Sequence, residues 1–143
     1  MTAPAYGNLT TDLAEHLANL GFGQWNPNGI YKSFAPPAIY LGIIPDEAGP
    51  SIALNIYHHS TTNGRDTGTP EIRVQIRIKG SRDPRLAQWV GNDIYTALHE
   101  QTDYELDNGT RVLLSQRVLT HEERDPNLVW HRVDSYAFTV NPS

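Results

Sequence analysis

Two adjacent histidines, His58 and His59, are the first candidates for metal chemistry in the sequence. Imidazole nitrogens are common zinc ligands, and His99, His121 or His131 could complete such a site. Neighbouring residues of a β-strand point to opposite faces of a sheet, however, so two adjacent histidines rarely bind one ion. We therefore expect the pair to end a polar strand before a loop, and we predict neither a metal nor a cofactor.

Alternating carboxylates at Asp103, Glu105 and Asp107 are a second candidate site, because they precede Gly109 as in a calcium-binding loop. A calcium loop of this type needs glycine at its sixth position and a bidentate glutamate at its twelfth. Here the glycine comes one position late, and Leu114 stands at the twelfth position. The Asp-Asn-Gly run instead predicts a hairpin turn.

The signatures of the common enzyme classes are missing from the sequence. The absence of cysteine removes thiol nucleophiles and cysteine-bound zinc together. Neither a nucleophile elbow, nor a phosphate-binding loop, nor a His-Glu-x-x-His motif is present. We expect no enzyme activity. The alternative from another class is a small ligand-binding or hydrolytic domain that uses His58, His121 or His131.

Length and charge indicate a single acidic domain. The chain has 143 residues, the size of one ordinary domain, so we predict one domain over residues 1–143. A net charge of −5 argues against a general nucleic-acid clamp, which needs a basic face to displace counterions from phosphates. No apolar run approaches the ~18 residues of a membrane span, and no signal-peptide core lies near the start. We expect no membrane partner and assembly in a cytoplasm.

Apolar periodicity predicts the elements that would position any site. Leu9, Leu13, Leu17 and Leu20 recur at helical spacing, and Gly21 follows where a helix would end. Residues 22–37, rich in glycine and proline, predict a long connection with a short strand around Tyr31. Further strands are predicted over 38–44, 51–59, 104–106, 111–119 and 128–140, with a charged connection over 120–127.

The clearest segment of the chain is the run Glu71–Lys79. Apolar and polar residues alternate strictly in it, which predicts a half-buried antiparallel strand. Asp83 and Pro84 then form a strong helix start, and the helix is expected to run to about Glu100. Its predicted buried residues are Leu86, Trp89, Val90, Ile94, Ala97 and Leu98. The predicted fold is α+β, a mostly antiparallel sheet of about four to five strands with two helices packed on one face.

A basic row lies on the polar side of the Glu71 strand, within an otherwise acidic protein. Such a row is typical of a solvated sheet face, or of charges that protect a strand edge from unwanted pairing. It could equally be a surface for an acidic protein or for passing DNA phosphates. The residues of this candidate interface are Tyr57, Arg73, Gln75, Arg77 and Lys79, with Arg65 and Asp66 from the polar stretch 60–70.

The order of these elements resembles the tail-terminator, or minor capsid, proteins of long-tailed double-stranded DNA bacteriophages. The resemblance depends on the run Glu71–Gly80, the capped helix that follows Asp83, and the final strand Arg132–Val140. It covers nearly the whole chain, through patterns of residue class rather than invariant chemical groups.

The resemblance implies a structural role without catalytic residues. Proteins of this kind form a ring, expected to be hexameric, on the head-proximal end of the completed tail tube. The ring stops further polymerisation of the tube and joins the tail to the neck, and the genome passes through its centre without specific binding. The implied partners are further copies of the chain, the tube protein and a neck protein, and the implied location is the virion. Another neck or head–tail connector protein is the alternative within this class.

Overall fold

The computed structural model describes residues 9–60, 71–106 and 109–141, and these contain two helices and six strands. In chain order the elements are α1 (Leu9–Asn19), β1 (Ala38–Leu41), β2 (Ser51–Ser60), β3 (Glu71–Lys79), α2 (Pro84–Leu98), β4 (Gln101–Glu105), β5 (Arg111–Arg124) and β6 (Trp130–Val140).

The strands form one sheet in the order β1-β2-β3-β6-β5-β4. β1 pairs with β2 in parallel, while every other neighbouring pair is antiparallel. The expectation of four to five strands was therefore wrong in number, and the sheet is mixed. The pair is parallel because residues 42–50 carry the chain from the end of β1 back to the level of its start. There Ser51, the first residue of β2, pairs with Ala38.

α1 ends beside Gly21, as predicted, for identifiable reasons. Leu9, Leu13 and Leu17 are fully buried in the core. At its end Phe22 N–H donates to Leu17 C=O and Gly21 N–H donates to Ala18 C=O, which is a Schellman cap. Gly21 has a φ of 89°, a backbone conformation that glycine adopts without strain. Leu20, expected on the buried side, is instead 44% exposed because it lies beyond the last helical turn.

β3 follows its predicted alternation without exception. Ile72, Val74, Ile76 and Ile78 are buried on the face that both helices cover, and the intervening side chains are half-buried on the other face. We call the first the core face of the sheet and the second the polar sheet face. The core face thus contains the apolar side chains that α1 and α2 share.

α2 begins as predicted, with the Asp83 side chain accepting a hydrogen bond from Arg85 N–H at 2.9 Å. Its buried stripe differs from the prediction, because Ala87, Gly91, Ile94 and Leu98 are the residues that face the sheet. Trp89 lies on the opposite side of the helix and is 59% exposed. The helix turns a glycine rather than a tryptophan toward the sheet, since a large side chain of β6, Arg132, occupies that space.

Two predictions about loops and strand ends were wrong. The charged residues expected to form a connection continue β5 to Arg124, where they pair with the start of β6. Their charge does not interrupt the strand because their side chains are exposed. No strand forms around Tyr31, whose hydroxyl instead donates to the C=O of Ile39 and fixes the connection against β1.

Candidate protein-interaction surfaces

The polar sheet face brings four of the predicted interface residues together. Arg73, Gln75, Arg77 and Lys79 project from alternate positions of β3, which is a central strand between β2 and β6. Their strand neighbours on this face include small side chains, such as Ala53 opposite Arg77 on β2 and Ala137 opposite Arg73 on β6. The long cationic side chains therefore extend over the sheet.

The cations of this row have partners within the chain. Arg73 Nε contacts Glu71 Oε1 at 3.1 Å, and this hydrogen bond raises the pKa of Arg73. Arg77 Nη2 contacts Glu123 Oε1 at 3.1 Å. Lys79 Nζ donates to the C=O of Ala48 at 2.7 Å and of Asp46 at 3.2 Å. The two guanidinium groups of the row are thus paired with carboxylates and Lys79 is held by carbonyl groups, so the row is not an open positive surface.

Arg77 also belongs to a longer series of polar contacts on this face. Its Nη1 lies 3.4 Å from His131 Nδ1, and His131 Nε2 lies 2.9 Å from Asp125 Oδ2. The hydrogen bond from His131 lowers the pKa of Asp125. Burial acts to raise the pKa of Glu123, but the charge and hydrogen bond of Arg77, assisted by His121, outweigh burial and lower it. A cleft of about 310 Å³ adjoins these residues and is walled on one side by residues 43–45.

The other predicted residues have more peripheral positions. Tyr57 lies in a bulge of β2 and is 50% exposed, and His58 is paired opposite Arg73. Arg65 and Asp66 lie outside the described residues. Of the three histidines in the alternative hypothesis, His121 and His131 share the polar sheet face, where each contacts a carboxylate.

A second polar cluster, on the core face, was not predicted as a site. Arg132 and Asp134 of β6 form a buried ion pair at 3.1 Å beneath α2. Arg132 Nη1 also donates to Asn92 Oδ1 at 2.7 Å, and Asp134 accepts from the hydroxyl of Thr120. A signal existed in the sequence, because the alternation of the last strand placed both charged residues on the same side as Tyr136 and Phe138. Two opposite charges that are buried two residues apart on one strand can form an ion pair, and each then compensates the charge of the other.

A third charged side chain, Arg117 of β5, completes this cluster. Its guanidinium lies 4.1 Å from the ring centroid of Tyr95 and 3.7 Å from Asp134 Oδ2. Between α2 and β5 lies a cleft of about 560 Å³, lined by Gln88, Asn92, Tyr95, Arg117, Thr120, His121, Glu122 and Arg132. Two guanidinium groups share one buried carboxylate at its floor, and the exposed carboxylate of Glu122 accepts from Gln88 Nε2 at 2.9 Å.

The side chains of these surfaces are mainly charged and amide groups held in ion pairs and hydrogen bonds. Within the described residues, no group of three histidine or carboxylate side chains is arranged to hold a metal ion. None of the helices in the described parts of the chain has the length and apolarity to cross a membrane. Ion pairs, amide groups and one stacked arginine can recognise a peptide surface by charge and hydrogen bonding.

This arrangement of two helices on a six-stranded sheet is shared with a chain of a solved structure, "Virion of native gene transfer agent (GTA) particle". The likeness covers 96% of this chain and 91% of that chain, with a TM-score of 0.54 and 16% sequence identity. At that identity the likeness shows the fold alone. A search of curated proteins found no match.

The fold and its polar surfaces thus define a small α+β subunit suited to contacts with other chains. Residues 16–142 match the family described as bacteriophage tail terminator protein, which covers most of the chain. The protein belongs to the bacteriophage tail terminator family, a family of structural tail proteins. The family that the run Glu71–Gly80 and the following capped helix indicated is confirmed.

Proposed function

We propose that the protein forms a homo-oligomeric ring, with six copies in the simplest case, that caps the head-proximal end of a phage tail tube. In this role it stops the addition of tube subunits and joins the tail to the neck. The single observation that carries the proposal is the family match over residues 16–142. The fold shared with a chain of a virion particle is consistent with it.

The proposed role involves no chemistry on a substrate. DNA passes through the ring without specific binding, and the neutralised basic row supports this, since paired guanidinium groups attract phosphates less than free ones. The net charge of −5 has the same effect. The subunit is made in the host cytoplasm and becomes part of the virion at the junction of tail and neck.

The polar sheet face is the proposed contact surface with other copies or with the tube. Its central residues are Arg73, Gln75, Arg77 and Lys79, with Tyr57 at the rim, and Arg65 and Asp66 belong to the neighbouring polar stretch. Support comes from their position on a face that neither helix covers. Polar side chains already held in ion pairs lose less conformational entropy on binding than free ones.

Electron microscopy of particles made without the gene tests the proposed function. Without a terminator the tubes should continue to grow, so we expect tails of variable, excessive length that are not joined to heads. Localisation of the tagged protein by immunogold should label the head-proximal end of wild-type tails. Tails of normal length joined normally to heads would overturn the proposal. Label on the head side of the neck would favour the connector alternative.

A charge swap tests the contact surface separately. The double variant Glu71→Arg with Arg73→Glu keeps a local ion pair but reverses the position of each charge on β3. We expect an unchanged melting temperature and at least a tenfold loss of infectious particles, because a partner would meet the wrong sign. Asp93→Arg, a charge reversal on the exposed side of α2 that leaves the cap at Asp83 intact, is the control. Normal titre from the β3 swap would show that this face is only solvated.

A further inference from the structure

The two outer edges of the sheet differ in whether their backbone groups are used. At the β1 edge, the outward-facing N–H of Ile39 donates to Gln24 C=O at 2.9 Å, and its C=O accepts from the Tyr31 hydroxyl. At the other edge β4 covers β5 only from Arg111 to Ser115. Within the described residues, no strand pairs with the outer side of β5 from residue 116 to residue 124.

This free edge of β5 is suited to pairing with another strand. Nine residues at about 3.3 Å each give an edge of about 30 Å. Among the described residues, the outward group with a partner is Arg117 N–H, which donates to His99 Nδ1 at 3.0 Å. Val118 and Leu119 are 41% and 61% exposed, so apolar side chains accompany the unpaired backbone. Exposed edges of this kind accept strands from other chains unless charge or shape prevents it.

Arg117 adds a charge preference beside that edge. The Asp134 carboxylate is already bound by Arg132 at 3.1 Å and by the Thr120 hydroxyl. Its distance to the guanidinium of Arg117 is longer, at 3.7 Å, so this second ion pair is weaker. Within the described residues the guanidinium of Arg117 makes a ring contact with Tyr95 but has no side-chain hydrogen bond. Its N–H donors line the cleft of about 560 Å³. A carboxylate entering this cleft would accept hydrogen bonds from those donors.

The strands of another copy fit this edge poorly. The β1 edge is covered by the connection that contains Gln24 and Tyr31. β4 carries Asp103 in its middle with a φ of 54°, which interrupts its ladder, and its carboxylates are held by Arg111. Antiparallel pairing of two β5 strands would make a two-fold contact, whereas a ring requires head-to-tail contacts. The exclusion of pairing between two β5 strands rests on the proposed ring.

We propose that the free edge of β5, residues 116–124, receives an extended strand from a second protein of the tail or neck, and that Arg117 binds an acidic side chain of that strand. The strand adds to the sheet beside β5 through main-chain hydrogen bonds. Its inward side chain enters the cleft between α2 and β5. The partner is therefore recognised by an extended backbone with a carboxylate.

Cross-linking in assembled particles tests the identity of the occupant. Because the chain has no cysteine, Leu119→Cys supplies a single thiol for a benzophenone maleimide. Irradiated tails that contain the labelled protein should give a cross-link to a different protein, in a segment with an aspartate or glutamate. A cross-link to another copy of this chain would overturn the proposal. A cross-link efficiency no higher than at a control cysteine replacing Ile30, which is 70% exposed in the connection at the β1 edge, would also overturn it.

Hydrogen exchange tests the strand geometry. In the free protein the outward amides of residues 118–124 should exchange fast, and in assembled tails they should exchange at least tenfold more slowly. Leu119→Lys should lower particle titre at least tenfold with an unchanged melting temperature, whereas Ile30→Lys, at an exposed apolar position near the β1 edge, should not. Arg117→Gln should lower the titre more than Arg117→Lys, since lysine keeps the charge. Unchanged exchange at these amides would overturn the proposal.

These outcomes separate this inference from the proposed function. If the protein is absent from tails, or tails form normally without it, the function is wrong. If it sits at the head-proximal end while the β5 amides stay unprotected, only the strand-addition inference fails.

Discussion

The two halves of β6 show opposite solutions to burial on the same face of one sheet. Toward its end, Tyr136, Phe138 and Val140 join the apolar cluster that includes the leucines of α1. Near its start, Arg132 and Asp134 occupy the equivalent positions under α2, also almost fully buried. The first half is held by hydrophobic burial, which depends on area. The second is held by compensating charges, which depend on geometry.

The difference predicts how each half fails. Apolar packing loses stability in proportion to the volume removed, and neighbours relax partly into the gap. A buried ion pair fails abruptly when one member is removed, because the other is left uncompensated. The polar half also borders the free edge of β5 and the cleft, so binding groups lie where the core is polar.

The largest effect is expected from breaking the ion pair. Asp134→Ala leaves two guanidinium groups without their carboxylate and should lower the free energy of unfolding by about 3–5 kcal/mol. Urea titration followed by circular dichroism measures it. The double variant Arg132→Met with Asp134→Leu should recover most of that loss, since it removes both charges. If the double variant is as unstable as the single one, shape rather than charge holds this half.

A cavity in the apolar half should cost a comparable but smaller amount. Leu13→Ala removes a fully buried side chain of α1, and we expect a loss of about 3 kcal/mol in the free energy of unfolding. Leu20→Ala, at a position 44% exposed, is the control and should cost much less. Combined with Asp134→Ala, the two losses should add, because the sites share no partner. A strongly non-additive result would mean that the halves are coupled.

Adding a methyl group at Gly91 should disturb the polar half by overpacking. A Cβ there would lie 2.6 Å from Arg132 Nε, and that guanidinium cannot move without leaving Asp134. Gly91→Ala should therefore lower the free energy of unfolding by about 1–3 kcal/mol, although alanine favours helices. Thr96→Ala, on the exposed side of α2, should be neutral within about 0.5 kcal/mol. A stabilised Gly91→Ala protein would show that the ion pair tolerates displacement.

The smallest effect concerns the ion pairs outside the core. The hydrogen bond from His131 lowers the folded-state pKa of Asp125 below its usual 3.8. A lowered pKa contributes stability that is present above pH 3.8 and is lost as the pH falls through the folded-state value. Asp125→Asn should therefore flatten the fall in melting temperature over that acid range. High salt should flatten the wild-type curve in the same way, and an unchanged curve in the variant would contradict the assignment.

The features that follow from periodicity could be predicted from the sequence. The leucines of α1, the alternation of β3 and the cap at Asp83 each depend on near neighbours in the chain, and the structure confirms them except at Leu20, which is exposed. The buried side of α2 could not be predicted in the same way, because it depends on Arg132, some 40 residues away. The length of β5 was likewise decided by its partner β6, which pairs with charged residues that resemble a loop.

The same distinction between near and distant residues applies to the candidate sites. The basic row of β3 could be found because one strand carries all of it. The groups that hold its cations, Glu123 and backbone carbonyl groups, belong to other elements and could not be predicted. The free edge of β5 has no signal in its own sequence. It exists because β4 begins only at Gln101, opposite Ser115, and no other segment of the described chain takes the vacant place.

The covered edge at β1 has a consequence for the number of bonds that one subunit can form through its sheet. A unit that propagates a strand-paired series needs two reactive edges, as a monomer of a linear polymer needs a valence of two. With the Ile39 backbone groups occupied by Gln24 and Tyr31, the described part of this sheet keeps its open backbone on the β5–β4 side, which gives it a valence of one. Such a unit can join the end of a series and offers no site for the next member.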